Sequence, residues 1–194
     1  MKRHTLSCAL MALCTILASC ATQSLTGEYL FKPEQITASA RELVSDGYWD
    51  KPAGLTGSHL IVVDTNRQQA TYYIGGKQVG ISAIASGKAG HGTPKGTFTI
   101  KAKDIDHKSS TYGSIVDAAG NTLIADYTVG QPRPAGGIYK GAEMNFGMQI
   151  HGGIWMHEGI VTSAPESHGC IRLPRKMAEI FFENTPIGTT VIIK

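Results

Sequence analysis

The amino-acid sequence predicts a single, mainly β domain with few helices. Its 194 residues, 42% of them hydrophobic, suffice for one hydrophobic core and leave little chain for a second domain. The chain contains 23 glycines and only 17% charged residues, and its apolar runs are short and separated by turn residues. These features are typical of β-strands joined by turns and not of a helical bundle.

Residues 1–19 have the features of an export signal peptide. A basic start precedes an apolar stretch, residues 6–17, that contains no acidic residue and is too short to span a bilayer. The stretch Leu17-Ala18-Ser19-Cys20 resembles a lipoprotein cleavage site, so Cys20 is expected to become the lipidated first residue. We therefore expect an exported protein, anchored by its lipid at the periplasmic face of the envelope. Ala21 would suit the outer membrane if the cell is Gram-negative. An uncleaved anchor or an ordinary signal peptide is the alternative.

Residues 20–57 are predicted to form the lipidated N-terminus, a tether and one short helix. Ile36, Ala40 and Val44 recur at helical spacing, and Gly47 follows them. A helix this short depends on tertiary packing, so the alternative is that the segment packs as part of the domain. The domain proper covers residues 58–194.

Strands dominate the prediction for the first half of that domain. Residues 60–64, 70–74 and 79–85 are β-rich, and the Gly75-Gly76 pair between two of these runs predicts a hairpin turn. Polar and apolar side chains alternate over residues 97–102, which is the pattern of a strand with one buried face.

Residues 103–145 are polar and rich in Gly, Pro, Asp and Tyr, and only residues 122–125 resemble a short strand. A long segment without regular structure inside a compact domain is usually functional. We therefore expect a lid or a substrate-binding loop here, with irregular surface structure as the alternative.

A strand is predicted next, because Phe146, Met148 and Ile150 alternate with less apolar residues. Such a strand buries these three side chains and places His151 on its opposite face. His151 is therefore expected to lie where a functional site can form.

The end of the chain predicts one helix and one strand. Pro174 suits the first turn of a helix, in which Met177, Ile180 and Phe181 share one face. Residues 189–193 then form a final apolar strand.

Cysteine usage leaves a single free thiol. Cys8 and Cys14 lie in the predicted signal peptide and Cys20 would carry lipid, so only Cys170 remains. A lone thiol in an oxidising compartment is vulnerable, which suggests that its chemistry is used. The net charge of +3 and the lack of a Lys/Arg run give no indication of nucleic-acid binding.

Reactive side chains are concentrated in two short segments. They are Ile150-His151-Gly152-Gly153 and Ser167-His168-Gly169-Cys170-Ile171-Arg172. A cysteine becomes a strong nucleophile when an imidazole removes its proton and a cation stabilises the thiolate. His151 and His168 are the candidate bases for Cys170, and Arg172 is the nearby cation. Gly169 would let backbone N–H groups approach a reacting carbonyl, as an oxyanion site requires.

These two segments resemble the L,D-transpeptidase catalytic-domain family. Ser167–Arg172 is similar to the signature of that family, which also has an upstream His-Gly at a similar separation; here His151 precedes Cys170 by nineteen residues. Two further stretches, residues 92–98 and 188–193, resemble family segments, so the similarity spans residues 58–194. The resemblance implies an L,D-transpeptidase-like β-sandwich with one or two short helices. It also implies activity on peptidoglycan stem peptides without a metal or a cofactor.

The resemblance also implies roles for individual residues. Cys170 would attack a donor tetrapeptide, release D-alanine and form a thioester, which the amine of a diamino acid on a second stem would convert into a 3→3 cross-link. His151 would donate and accept the protons, His168 would support the site and the Gly169 amide would stabilise the oxyanion. Substrate contacts are expected from Arg172, Gly152 and Ser167. A structural role in holding the turn is the alternative for His168 and Arg172.

The sequence departs from the simplest family pattern between the two motifs. Trp155 and His157 stand there, and Gly153 occurs where many relatives carry a hydroxyl residue nearby. His157 is a second candidate base, but we expect it to be an exposed loop histidine because it does not match the motif position.

Three other functions are compatible with parts of the sequence. With water as the acceptor, the same thioester would make the protein an L,D-carboxypeptidase or another cell-wall hydrolase. A zinc hydrolase would use His151, His157, His168 and Cys170 as ligands, but no HExxH arrangement is present. A non-catalytic, cell-wall-binding lipoprotein is disfavoured by the intact Cys170 and His151.

Overall fold

The computed structural model describes residues 28–29, 47–162 and 164–194. The predicted signal peptide, Cys20 and the helix expected over residues 36–44 lie outside the described residues. The elements, in chain order, are β1 (Glu28–Tyr29), β2 (Gly47–Trp49), β3 (His59–Asp64), β4 (Gln69–Ile74), β5 (Lys77–Ala83), β6 (Gly96–Thr99), β7 (Ala102–Asp104), β8 (Lys108–Val116), β9 (Thr122–Thr128), β10 (Ile138–Glu143), β11 (Gly147–His151), β12 (Ile154–Glu158), β13 (Ile171–Leu173), α1 (Arg175–Asn184) and β14 (Thr190–Ile193). Among these elements, no helix is long and apolar enough to cross a membrane.

Two sheets enclose the hydrophobic core. Within the described residues, the larger sheet has the order β1-β2-β5-β4-β3-β14-β6 and the second has the order β13-β12-β11-β7. Ile61 and Tyr72 face each other on the inner side of the first sheet. Met148, Met156 and Ile171 form a row on the inner side of the second sheet. All five side chains are fully buried, and the predicted mainly β sandwich is confirmed.

The helix α1 covers one edge of the core, as its apolar spacing predicted. It starts directly after Pro174 and buries Met177, Ala178, Ile180 and Phe181. The Phe181 ring packs edge-on against Tyr72, with centroids 5.2 Å apart. Aromatic pairs in this arrangement add about 0.5–1.5 kcal/mol beyond the area that they bury.

Most predicted strands are present, with one difference near residue 100. The Gly75-Gly76 turn has positive φ at both glycines, as a tight hairpin requires. The strand expected over residues 97–102 is divided between β6 and β7, because the chain passes from one sheet to the other. The Ile100 amide bonds to the carbonyl of Thr189, which directly precedes β14 of the first sheet, whereas the next amide, that of Lys101, bonds to the Gln149 carbonyl in the second sheet.

Part of the segment assigned to the tether contributes to the first sheet. β2 pairs with β5, and the Trp49 ring contacts Tyr72 edge-on, with centroids 5.1 Å apart. Gly80 permits this contact, because a Cβ there would lie 2.6 Å from the indole ring. Residues 47–49 therefore pack as part of the domain, which was the alternative to a tether at this position.

Residues 108–143 form a third sheet, which we call the lid. Its strand order is β10-β8-β9, whereas the sequence suggested a strand only over residues 122–125. Ile115 lies opposite Tyr139 and Gly113 opposite Tyr127, so one face of the lid carries a small apolar cluster. The other face is polar. The alternation was hidden because Gly113 and Gly141 occupy positions on the apolar face, where they add no apolar side chain to mark the pattern.

Candidate active site

The second sheet brings the two reactive segments together. β13 runs parallel to β12, with Arg172 beside His157, so Cys170, which directly precedes β13, lies next to Trp155. β11 and β12 form a hairpin whose turn begins at His151. Because Ile171 points into the core, Cys170 and Arg172 project from the opposite face, towards the lid.

The Cys170 thiol lies half-buried against the hairpin turn. Its Sγ donates to the Gly153 carbonyl oxygen, 3.6 Å away, and Gly153 is two residues after His151. Burial raises the pKa of Cys170, while a hydrogen bond from the Trp155 backbone amide and the charge of Arg172 partly oppose this increase. The thiol is therefore protonated at neutral pH and needs a base to become a nucleophile.

His151 lies at the exposed end of β11, on the face that the strand alternation predicted. Its ring is tilted against Phe98, with centroids 5.5 Å apart. Among the described residues, no hydrogen bond joins the His151 ring to Cys170. Catalytic hydrogen bonds are often made only when substrate is bound, so this geometry leaves His151 free to approach a substrate held at the thiol.

The hairpin turn itself is held by a side chain of β11. Gln149 donates through Nε2 to the Gly152 carbonyl oxygen at 2.8 Å. Gly152 has a φ of 52°, a conformation that disfavours a residue with a side chain. The sequence predicted a substrate contact at Gly152, and in the structure its carbonyl is used to fix the turn.

The turn before Cys170 is fixed by two hydroxyl groups. Ser167, only 1% exposed, donates to the Cys170 carbonyl at 2.5 Å and accepts from the Gly169 amide at 3.1 Å. Thr93 donates to the Gly169 carbonyl at 2.9 Å. The Ser167 hydroxyl is thus directed into the turn, and its contact with substrate stays a prediction. The Gly169 amide, the predicted oxyanion donor, is occupied by Ser167 in this structure.

Gly169 also permits close packing between this turn and the hairpin. Its φ is 112°, and a Cβ at this position would lie 2.9 Å from Cδ1 of Ile154. Since Ile154 follows the His151 turn, the glycine lets Cys170 approach that turn closely.

His168 connects the catalytic sheet to the lid. Its ring is stacked on Tyr112, with centroids 4.4 Å apart, and meets His91 edge-on at 4.7 Å. Burial lowers the pKa of His168, and the charge of Lys88 lowers it further. His168 is therefore mainly neutral at pH 7, and its supporting role in catalysis stays a prediction.

The structure corrects the expectation for His157. This residue lies within β12 and is only 6% exposed, whereas the sequence suggested an exposed loop. Its Nδ1 donates to the Glu158 carbonyl oxygen at 2.6 Å, and burial lowers its pKa to about 4. β12 has the core on one side and the lid on the other, so its sequence lacks the polar alternation of a surface strand.

The lid and the hairpin enclose a cavity of about 270 Å³ at Cys170. Tyr112 and Ser109 line it from the lid, and Trp155 lines it from β12. The His107 ring is stacked on Trp155 with centroids 3.8 Å apart, and its Nδ1 lies 3.1 Å from Asp104 Oδ2. The sequence did not identify Tyr112 or His107 individually; its only signal was the long polar segment in which both occur.

The zinc-site alternative is not supported by the described residues. No group of three or more His, Cys, Asp or Glu side chains is arranged there to hold a metal ion. His151, His157, His168 and Cys170 therefore do not form a metal-binding group in this part of the chain.

Solved structures with similar folds are L,D-transpeptidases. An L,D-transpeptidase from Mycobacterium smegmatis is 23% identical, with a TM-score of 0.54 over 71% of this chain and 59% of that one. L,D-transpeptidase 3 from Mycobacterium tuberculosis, in complex with a faropenem-derived adduct, is 22% identical, with a TM-score of 0.52 over 71% and 60%. An L,D-transpeptidase from Stackebrandtia nassauensis is 17% identical, with a TM-score of 0.52 over 75% and 58%. Because all three sequence identities are low, the comparison shows that the fold is shared and shows nothing further about this chain.

This chain corresponds to about three fifths of the length of these structures. No curated protein matches it. The family comparison is more specific, because the YkuD family model, described as the L,D-transpeptidase catalytic domain, matches residues 58–193. This match includes the lid, the hairpin and the turn that carries Cys170. The chain therefore belongs to the YkuD family of L,D-transpeptidase catalytic domains.

Proposed function

We propose that this protein is an L,D-transpeptidase that cross-links peptidoglycan stem peptides through a thioester on Cys170. One observation carries the proposal: the Cys170 thiol opens into a cavity beneath the lid and lies 3.6 Å from the turn that begins at His151. The thiol is protonated and needs a base, and His151 is an exposed imidazole on the same turn. Family membership supplies the class of substrate.

The first half of the reaction forms the acyl-enzyme. His151 takes the Cys170 proton, and the sulfur attacks the carbonyl on the L-centre side of the bond to the terminal D-alanine. The resulting oxyanion competes with Ser167 for the Gly169 amide, whose present hydrogen bond is long at 3.1 Å. The C–N bond then breaks, His151 protonates the departing D-alanine amine, and the acyl group remains on sulfur.

The second half transfers the acyl group to an amine. The side-chain amine of a diamino acid on a second stem attacks the thioester, and His151 accepts its proton. The C–S bond breaks, the new amide forms the 3→3 cross-link, and the thiolate of Cys170 is reprotonated. Arg172 stabilises the thiolate by its charge in both halves and binds substrate carboxylate.

The decisive experiment incubates the full-length protein with soluble tetrapeptide muropeptides and resolves the products by mass. A Cys170→Ala variant, checked for folding by circular dichroism, is the matched control. Dimers joined 3→3 in the wild type alone support the proposal. Tripeptides without dimers would instead assign water as the acceptor, as in an L,D-carboxypeptidase. Unchanged muropeptides would contradict both and favour a non-catalytic wall-binding protein.

An acylating inhibitor offers an independent test of the nucleophile. The similar fold of L,D-transpeptidase 3 was solved with a faropenem-derived adduct, and we propose that faropenem also acylates Cys170. Mass spectrometry should show one adduct on the peptide that contains Cys170 and none in Cys170→Ala. An adduct on another residue would contradict the assignment.

We further propose that the protein is exported and anchored by lipid on Cys20, on the basis of the cleavage-site resemblance alone. Cys20→Ala should move the protein from the membrane fraction to the soluble fraction, while Cys14→Ala serves as the matched control. Unchanged fractionation of Cys20→Ala would contradict lipidation.

A further inference from the structure

A second imidazole, that of His107, lines the cavity at Cys170 and has no part in the reaction described above. His107 directly precedes the lid, and both it and Trp155 are lining residues of this cavity. The two rings are stacked, with centroids 3.8 Å apart and planes 21° from parallel. Since the Trp155 backbone amide donates to Cys170, the stack places His107 beside the residue that contacts the nucleophile.

Backbone contacts fix the turn that carries His107. The Met144 amide donates to the His107 carbonyl at 2.8 Å, and the Phe146 amide donates to the Ile105 carbonyl at 2.8 Å. Gly147 lies beneath the turn, where a Cβ would be 3.0 Å from the His107 Cβ. The turn therefore packs directly on the second sheet, and its approach depends on a glycine at that point.

The Asp104 carboxylate fixes the tautomer of this imidazole. His107 Nδ1 donates to Asp104 Oδ2 at 3.1 Å. A carboxylate oxygen accepts, so Nδ1 carries the hydrogen and Nε2 of the neutral ring keeps a lone pair. The Asp104 side chain is 51% exposed, against 22% for His107, and only His107 lines the cavity. Nε2 is therefore the nitrogen that is available to a molecule beneath the lid.

The second half of the proposed reaction has to remove two protons from the acceptor. An alkyl amine has a pKa of about 10.4, so roughly one molecule in 2,500 is unprotonated at pH 7. Conversion of the ammonium group into an amide releases two protons in total. His151 accepts the proton that is lost during the attack, so the earlier proton still needs a base.

We propose that His107 is a second catalytic base, which takes a proton from the ammonium group of the acceptor, and that Asp104 is its positioning residue. The inference rests on the proposed function and adds a residue to its second half. An N–H bond of the ammonium group breaks and its proton moves to Nε2 of His107. The electron pair left on nitrogen forms the C–N bond as the C–S bond breaks. His151 takes the second proton and returns it to the Cys170 thiolate, while His107 releases the first to solvent.

The groups around the ring suit this transfer. The titratable groups that face it are Asp104 and the buried His157 of β12, with Cys170 and His168 across the cavity. Burial lowers the pKa of His157 to about 4, so this neighbour is neutral at pH 7 and does not compete for the proton. Desolvation beneath the lid disfavours a bound ammonium group, which brings the pKa of the acceptor closer to that of an imidazole.

Competition between two acceptors tests for this base. The full-length protein is incubated with a meso-diaminopimelate tetrapeptide, which serves as donor and as ammonium-type acceptor, together with hydroxylamine, whose nitrogen is unprotonated at neutral pH. The products, the 3→3 dimer and the tripeptide hydroxamate, are resolved by mass. Both arise from the same thioester, so their ratio does not depend on the rate of acylation.

His107→Phe keeps a ring on Trp155 but has no nitrogen. We expect it to lower the dimer-to-hydroxamate ratio at pH 7 by about 10²-fold, the lower end of what a positioned base contributes. Asp104→Asn no longer fixes the tautomer and should lower the ratio less. Asp106→Asn is the matched control, because this exposed carboxylate lies on the same turn but outside the cavity, and it should leave the ratio unchanged.

The pH profile separates a lost base from a lost binding contact. In His107→Phe the ratio should rise about tenfold per pH unit between pH 7 and pH 9, because it follows the fraction of free amine. In the wild type the rise should be shallower. A ratio that falls in His107→Phe but keeps the pH dependence of the wild type would assign His107 to acceptor binding and overturn its role as a base.

Three other results would also overturn this role. Equal ratios in His107→Phe and the wild type would leave His107 as a packing partner of Trp155, with the transpeptidase proposal intact. An equal fall in Asp106→Asn would assign the effect to the charge of the turn. Hydroxamate without dimer in the wild type would show a thioester that is not transferred to a stem amine. Absence of both products would overturn the proposed function together with this role.

Discussion

The Tyr112 ring lies almost parallel to the His168 ring, with centroids 4.4 Å apart and planes 22° from parallel. Tyr112 belongs to the lid, whereas His168 is two residues before Cys170. This stack is therefore a direct contact between the lid and the turn that positions the nucleophile.

Loss of the Tyr112 ring should weaken closure of the lid. We expect Tyr112→Ala to lower kcat/KM for tetrapeptide turnover by about two- to twelvefold, the equivalent of the 0.5–1.5 kcal/mol of an aromatic pair. Tyr112→Phe keeps the ring and should retain most activity. Hydrogen exchange of residues 108–116 would report the lid directly, and equal exchange in wild type and Tyr112→Ala would contradict this role.

The assignment of the base predicts different results for two histidines. His151→Ala should lower the rate of D-alanine release by about 10²- to 10⁴-fold, because the buried thiol keeps its proton without a base. His157→Ala should instead lower the free energy of unfolding, because it removes a buried side chain from β12. Assays of D-alanine release and urea unfolding on both variants separate these effects. A greater catalytic loss in a folded His157→Ala would mean that the base is wrongly assigned.

Alkylation should reveal the pKa of the nucleophile. Since burial raises the pKa of Cys170 above its ordinary value of 9.0, the rate of reaction with iodoacetamide should still be rising at that pH. The positive charge of Arg172 opposes the increase, so Arg172→Gln should move the profile to higher pH and Arg172→Lys should restore it in part. A plateau near neutral pH would show that the thiol is already ionised.

Burial of neutral His157 should make the fold sensitive to acid. Its pKa is about 4 in the folded chain, against an ordinary 6.5, so the unfolded chain takes up the proton first as the pH falls. The contribution to stability is thus complete above pH 6.5 and is lost between pH 6.5 and 4, by about 3 kcal/mol in total.

Urea unfolding of Cys170→Ala at pH 7 and pH 4.5 would measure this loss without interference from the thiol. Introducing His157→Gln in that background should reduce the difference between the two pH values, and His151→Gln, at an exposed site, should not. If all three proteins lost the same free energy on acidification, another group would be responsible.

Local patterns were sufficient for much of the fold. The hairpin at Gly75-Gly76, the helix after Pro174 and the strand that ends at His151 were all predictable, because each depends on neighbouring residues and on which side faces the core. The lid strands β8 and β10 were not predictable in the same way. Gly113 and Gly141 stand at apolar-face positions of these strands, so hydrophobic alternation does not mark them.

The residues of the site also differ in how far local sequence predicted them. The motif around Cys170 and the upstream His151 identified the family from sequence alone, and the match to residues 58–193 confirms it. His157 was placed differently from expectation, because its environment depends on distant segments: β12 lies between the core and the lid.

The sequence by itself thus determined the class of fold, the family and the single free thiol of the domain, since these follow from composition, short-range periodicity and a contiguous motif. Only the tertiary structure decided that Tyr112 stacks on His168, that His157 is buried and that His107 stacks on Trp155. These contacts join residues far apart in the chain. They depend on how the lid packs across the second sheet, and no local pattern encodes that packing.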